Sequence, residues 1–178
     1  AMTEAVSELE AMKSDIAGVY VRSGKPGQFF AGGDITAMLE MDLDASQGKK
    51  EEMFAGIMHT KGLLRRLETL GVPVVCGING PALGGGFEIA LACHHRLALK
   101  GVAVGLPEAQ IGLMPGADGI VRTVRYVGMQ EAIALISTGK RLKADAAVEK
   151  GLIDELFDSE DDMQAAAKAW IKAKPEAS

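Results

Sequence analysis

The sequence predicts an α/β fold of short strands alternating with helices, and three observations predict it. Val74–Ile78 is a five-residue apolar run rich in β-branched residues and bounded by turn formers, which reads as a buried strand. Segments with apolar residues at helical spacing alternate with such runs along the whole chain. The 22 glycines fall mostly at turns between these short elements, as a layered α/β architecture requires.

Taken in order, residues 3–14 carry Val6, Leu9 and Met12 at helical spacing and predict an amphipathic helix. Residues 16–22 predict a strand, closed by the turn signal Ser23-Gly24-Lys25-Pro26-Gly27. A glycine-rich segment, Phe29 to Ile35, follows, in which Asp34 is suited to N-cap a short helix towards Leu39. Residues 41–48 read as a mobile acidic loop. Residues 49–70 read as a long helix with Met53, Ile57, Leu64 and Leu67 along one side. Gly71-Val72-Pro73 ends that helix and launches the central strand. Beyond it come a buried helix at 87–93, strands at 96–99 and 102–104, and a loop at 112–119. Helices at 120–127, 129–137 and 144–150, a strand at 152–156 and a closing helix at 161–174 complete the chain. The central strand is apolar on both faces and must be covered on both.

The stretch Asn79-Gly80-Pro81-Ala82-Leu83-Gly84-Gly85-Gly86-Phe87-Glu88 joins the central strand to the buried helix. Three glycines at a strand-to-helix junction let a ligand approach the main chain closely. The amides of a helix's first turn lack intrahelical acceptors and carry the positive end of the macrodipole, so the junction suits an oxygen bearing negative charge. Glu88 lies three residues beyond Gly85 and rises on the same helix face. Two other readings compete. The spacing does not make G-x-G-x-x-G, since Ile89 fills the last place, and no G-K-[ST] ending marks a P-loop. A packing turn with Glu88 in solvent is opposed by the apolar Ile89-Ala90-Leu91-Ala92 beside it.

Composition narrows the classes. The 178 residues fit a single domain, and 48% hydrophobic with 24% charged residues are globular values. A net charge of −5 with no basic cluster offers nothing to nucleic acid or an anionic membrane. Cys76 and Cys93 sit in apolar runs and read as reduced core residues of a cytoplasmic-type protein; no apolar run reaches transmembrane length and no signal-peptide pattern opens the chain. His94-His95 has no Cys or His partner at metal-ligand spacing and reads as imidazole favoured at a helix C-terminus, while His59 reads as a surface or packing residue.

Three segments together resemble the enoyl-CoA hydratase/isomerase (crotonase) superfamily: Phe30-Ala31-Gly32-Gly33-Asp34-Ile35, then Ile78 through Glu88, then Leu106-Pro107-Glu108 with Gly112-Leu113-Met114-Pro115-Gly116. Their order and spacing match, and Thr138-Gly139-Lys140 through Gly151-Leu152-Ile153 continues the likeness. Ala92-Cys93-His94-His95-Arg96 and the segment from Ala165 to Ile171 are closer to one branch, the N-terminal portion of multifunctional fatty-acid oxidation proteins, where a 3-hydroxyacyl-CoA dehydrogenase follows the hydratase.

The resemblance implies a crotonase core of repeated ββα units. It implies an oxyanion hole from the amides of Gly33 and Gly85, acting on the thioester carbonyl of an acyl-CoA substrate, and an acid/base pair in Glu88 and Glu108. Ala31 and Ile35 would line the CoA path, and no metal or redox cofactor is called for. Hydration of 2-enoyl-CoA is favoured over isomerisation because both glutamates are present, and a non-catalytic CoA-thioester-binding module is the third possibility. Relative to the family, the strands that usually precede Thr3 and the helices that usually follow Lys174-Pro175 are absent, so residues 1–178 are expected to behave as a fragment or minimal core. Strand 16–22 is then expected to keep an exposed edge or to pair with another chain, and apolar surface to be uncovered near Leu113, Ile120 and the closing helix, so such a chain should self-associate or be poorly soluble, with weak hydratase activity. Trimers or hexamers are the family's assemblies.

Overall fold

The computed structural model describes residues 2–32 and 47–177. Gly33 and Ile35, the Asp34 helix cap and positions 41–46 of the expected acidic loop lie outside the described residues.

Helix α1 (Met2–Ala11) is followed by strand β1 (Val19–Arg22) and, later in the chain, by α2 (Gln47–Glu68). Strand β2 (Val74–Ile78) is central. It pairs in parallel with β1 on one side and with β4 (His95–Leu99) on the other, and β7 (Glu155–Phe157) completes an all-parallel sheet of order β1-β2-β4-β7. A second sheet joins β3 (Ala82–Leu83), β5 (Ala103–Gly105) and β6 (Leu142–Lys143), with β3 parallel to β5 and β6 antiparallel to it.

The two sheets explain the repeated ββα unit. β2 lies in the large sheet and β3 in the small one, followed by helix α3 (Gly85–Leu91). β4 and β5 repeat the step, followed by a 3-10 turn (Pro107–Ile111) and helix α4 (Gly119–Thr138). α4 is broken at Gly128, where φ is 78° and ψ 167°, so the two helices predicted on either side of that glycine are both present. Helices α5 (Ala144–Glu149) and α6 (Glu160–Ala173) flank β7.

All five residues of β2 are buried, and period-2 alternation sends them to two cores. Val74, Cys76 and Ile78 join the main cluster with Phe87, Leu91, Val104 and Leu135. Val75 packs with Leu97 against Met163, Ala167 and Ile171 of α6, which recur every four residues along one helix face. The expectation that both faces of β2 are covered is met. Ser159 caps α6, its Oγ accepting from Asp162 N at 3.1 Å, and Glu160, Asp161 and Asp162 suit the positive helix start. Among the described residues β1 stands at the edge of the large sheet.

Several details differ from the sequence reading. β1 begins at Val19 rather than residue 16, and Gln47 and Gly48 open α2 instead of closing a loop. The last strand is 155–157, because Leu152 and Ile153 are spent packing a turn whose amides bond to the Ala147 carbonyl. In α2, residues 50–60 are exposed, Met53 and Ile57 among them; burial starts at Leu63 and Leu64, with Leu64 packed against Ala92 and Ala117.

The imidazole of His94 does more than finish a helix. Val74 N donates to its Nδ1 at 2.9 Å, which leaves the proton on Nε2 to donate to Glu68 O at 2.9 Å. One side chain thereby ties the start of β2 to the end of α2. His94→Ala leaves a half-buried donor and acceptor unpaired and is expected to cost about 1–3 kcal/mol in urea unfolding. His95 instead stacks on Trp170 with ring centroids 4.5 Å apart, and His59 meets Thr3 on the surface. Cys76 and Cys93 are free and buried.

Candidate active site

β3 and β5 are parallel neighbours that end level, Leu83 opposite Gly105. The turns leaving them therefore emerge side by side, and Gly84 N donates to Gly105 O at 2.9 Å. This brings the start of α3 beside Glu108 in the first turn of the 3-10 helix. Gly84 has φ 55°, a conformation natural to glycine, and a Cβ there would stand 2.9 Å from Glu108 Oε1 and 3.6 Å from Gly32 Cα. A Cβ on Gly86 would overlap the Phe30 carbonyl, whose oxygen also accepts from Leu83 N at 3.0 Å. The glycines thus admit two things at once, a carboxylate and the main chain of residues 30–32. Ala31 is exposed there.

Glu88 sits one turn into α3 and is buried. Its Oε1 accepts from the amides of Ala117 at 2.7 Å and Gly119 at 2.8 Å, and its Oε2 lies 4.0 Å from where a Gly85 Cβ would stand. Gly119 must lack a side chain, since a Cβ would come 2.8 Å from Glu88 Oε1. Burial pushes the Glu88 carboxyl above the usual carboxylate range; the bonds from Gly119 and Ala117 and the nearby Arg122 oppose this, and Asp118 adds to it. Glu108 is half-buried, and its Oε2 is buried with no hydrogen-bond partner among the described residues. Burial raises its pKa too; its own amide lowers it and the neighbouring Glu88 charge raises it further. Both glutamates singled out from sequence converge on the Gly84–Gly86 turn, as does Gly85.

Sequence reasoning missed the turn that holds Glu88. Asp118 has a left-handed backbone, φ 68°, and its carboxylate meets Lys61 Nζ of α2 at 2.7 Å. Arg122, also buried, donates Nη1 to Ala117 O at 2.9 Å and Nη2 to Glu68 Oε2 at 3.2 Å. Burial would raise Glu68, but bonds from Arg65 and Arg122 outweigh it and hold its pKa below the usual value. The available signal was the run Gly116-Ala117-Asp118-Gly119 followed by an arginine one helical turn on. Among the described residues no three His, Cys, Asp or Glu side chains converge as metal ligands, and no helix is long and apolar enough to cross a membrane.

The raised carboxyls set a sign for stability. A carboxyl whose pKa is raised by folding lends stability that is fully present below its unfolded pKa and is lost as pH rises through its folded value. At neutral pH the pair therefore costs stability. Glu108→Gln is expected to raise Tm there, with the gap closing as pH falls to the ordinary carboxylate range; thermal unfolding across pH checks this, and a neutral-pH Tm below wild type would contradict it.

Two sheets of ββα repeats, with one buried and one half-buried carboxylate at a glycine-rich helix start, describe a crotonase-type protein. The chain belongs to the enoyl-CoA hydratase/isomerase family, whose sequence profile matches residues 1–177. It is 38% identical over 178 residues to the fatty acid oxidation complex subunit alpha of Idiomarina loihiensis, covering 97% of this chain and 24% of that protein. It is 42% identical over 172 residues to the subunit of the same name from a Psychrobacter species, covering 95% of this chain and 22% of that protein. Among solved structures, an enoyl-CoA hydratase from Bacillus anthracis superposes with a TM-score of 0.78 at 29% identity, covering 94% of this chain and 64% of that one. The chain thus spans about a quarter of the curated relatives' length.

Proposed function

We propose that this chain, acting as one domain, is an enoyl-CoA hydratase: it adds water syn across the double bond of a 2-enoyl-CoA to give the 3-hydroxyacyl-CoA in fatty-acid β-oxidation. The observation that carries this reading is the convergence of Glu88 and Glu108 on the Gly84–Gly86 turn. Water's oxygen bonds to the β-carbon, the π electrons move onto the thioester oxygen as an enolate, and the α-carbon then takes a proton. Glu88, which only accepts through Oε1, suits the ionised form that removes water's proton. Glu108, with a buried oxygen that has no donor among the described residues, suits the protonated form that delivers one to the α-carbon. The first-turn amide of Gly85, with that of Gly33, would stabilise the enolate oxygen, each donor contributing about 3 kcal/mol in a dry site.

Ala31 and Ile35 are assigned to the CoA path. Acid–base chemistry with two amide donors accounts for every step, so the reading calls for no metal or redox cofactor. The relatives' names support β-oxidation, and the natural partner would be a following 3-hydroxyacyl-CoA dehydrogenase domain in the cytoplasm. The exposed Met114, Met129 and Ile133 support a homo-oligomer, a trimer or hexamer as the family resemblance suggests. Crotonyl-CoA tests the function: coupled formation of 3-hydroxybutyryl-CoA supports it, while isomerisation of a 3-enoyl-CoA without hydration, or binding without turnover, overturns it.

A further inference from the structure

We propose that Arg122 is a positioning residue for Glu88, acting through the Ala117 carbonyl with Glu68 as its counter-ion. This rests on the reading that Glu88 carries a proton transfer. The two amides that hold Glu88 Oε1 belong to the peptides before and after the 117–118 peptide, and the oxygen of that middle peptide is the one Arg122 grips. The middle peptide links the two donors, so freeing it from Arg122 lets the spacing between them, and with it the seat of the carboxylate, relax.

The grip is anchored outside the turn. Arg122 Nη2 reaches Glu68 at the end of α2, and Arg65 Nη1 meets the same carboxylate at 2.8 Å. The Lys61–Asp118 pair, also from α2, holds the turn at its left-handed residue, a conformation that a non-glycine residue adopts at some cost. α2 thus fixes the turn at two points, and only the Arg122 point bears directly on a peptide flanked by the Glu88 donors. The charged groups around Glu88 are Glu108 from the 3-10 turn and Asp118 and Arg122 from the start of α4, with Lys61 and Glu68 of α2 behind them.

A purely structural arginine would affect folding and leave the chemistry of folded molecules alone. The test is steady-state hydration of crotonyl-CoA and its pH dependence for Arg122→Met, Arg122→Lys and Glu68→Gln, with Glu88→Gln as reference and thermal unfolding measured alongside. Folded Arg122→Met should lose kcat by about 10²-fold, as expected for a small misplacement of a reacting group, with KM little changed. The acidic limb of kcat/KM should move to higher pH, because the cation that favours ionised Glu88 is gone. Arg122→Lys should return the limb towards wild type while recovering kcat only in part. Wild-type kcat and an unmoved limb in folded Arg122→Met overturn the proposal. Should that variant not fold, Glu68→Gln decides: lower kcat at constant KM supports the proposal, and wild-type kcat overturns it. Full activity in Glu88→Gln would overturn the hydratase reading and this inference together, whereas loss in Glu88→Gln with unaffected Arg122 variants overturns this inference alone.

Discussion

Glu88→Gln is expected to lower hydration of crotonyl-CoA by about 10²–10⁴-fold, the usual contribution of a positioned acid or base, while the protein stays folded. The fold survives because the glutamine Oε1 can still accept from Ala117 and Gly119, so the only function removed is proton acceptance. The substitution also removes a buried charge that costs stability at neutral pH, and Tm should not fall. Turnover is checked by coupled assay and folding by circular dichroism on the same samples. Near-wild-type turnover in a folded variant would sink the assignment of Glu88.

Gly86→Ala should have the second large effect, on structure and activity together. Its Cβ would enter the Phe30 carbonyl, a main-chain atom that cannot rotate aside. Phe29 is buried and Leu83 N is bonded to Phe30 O, so moving the carbonyl disturbs the core and the β3 edge at once. Overpacking of this kind typically costs about 1–3 kcal/mol, and more where backbone must move. Since residues 30–32 pass beside Gly84, turnover should fall further than stability alone explains. Urea unfolding and crotonyl-CoA turnover measured together check both parts, and a Gly86→Ala protein with wild-type values for each would show that the close approach is not needed.

Much of this was legible in the sequence because one-dimensional pattern and three-dimensional role coincide. Val74–Ile78 is apolar at every position because it is covered on both faces, and Gly84-Gly85-Gly86 is glycine where a carboxylate and a neighbouring main chain press in. Where pattern and role separate, the sequence misled. Met53 and Ile57 share the apolar stripe of Leu64 and Leu67 along α2 but lie beyond the part that is packed, so the period alone does not say where burial stops. Leu152 and Ile153 look like strand but pack a turn. β3 and β6, two residues each, are too short to leave a period.

The site was half legible for a related reason. Glu88 stood out by its place beside the glycines and Glu108 by the family resemblance, but what brings them together is the pairing of β3 with β5, a contact between segments that propensity cannot connect. The hold on Glu88 comes from backbone amides of residues 117 and 119, and amides carry no side-chain signature. Arg122 and Arg96 look like surface residues in sequence yet are buried, each paired with a carboxylate and bonded to main-chain carbonyls; Arg96 also lies 4.2 Å over the Tyr126 ring.

A double-mutant cycle on the two glutamates tests the central claim most directly, with loss of the conjugated enoyl-thioester absorbance of crotonyl-CoA followed for wild type, Glu88→Gln, Glu108→Gln and the double variant. If the two carboxylates act as a unit on one water, wild type hydrates the substrate and each single variant falls by about 10²-fold or more. The double variant then falls little below the worse single one, because groups acting together are not additive. Single losses that multiply fully in the double variant, or either single variant with wild-type turnover, would contradict the claim.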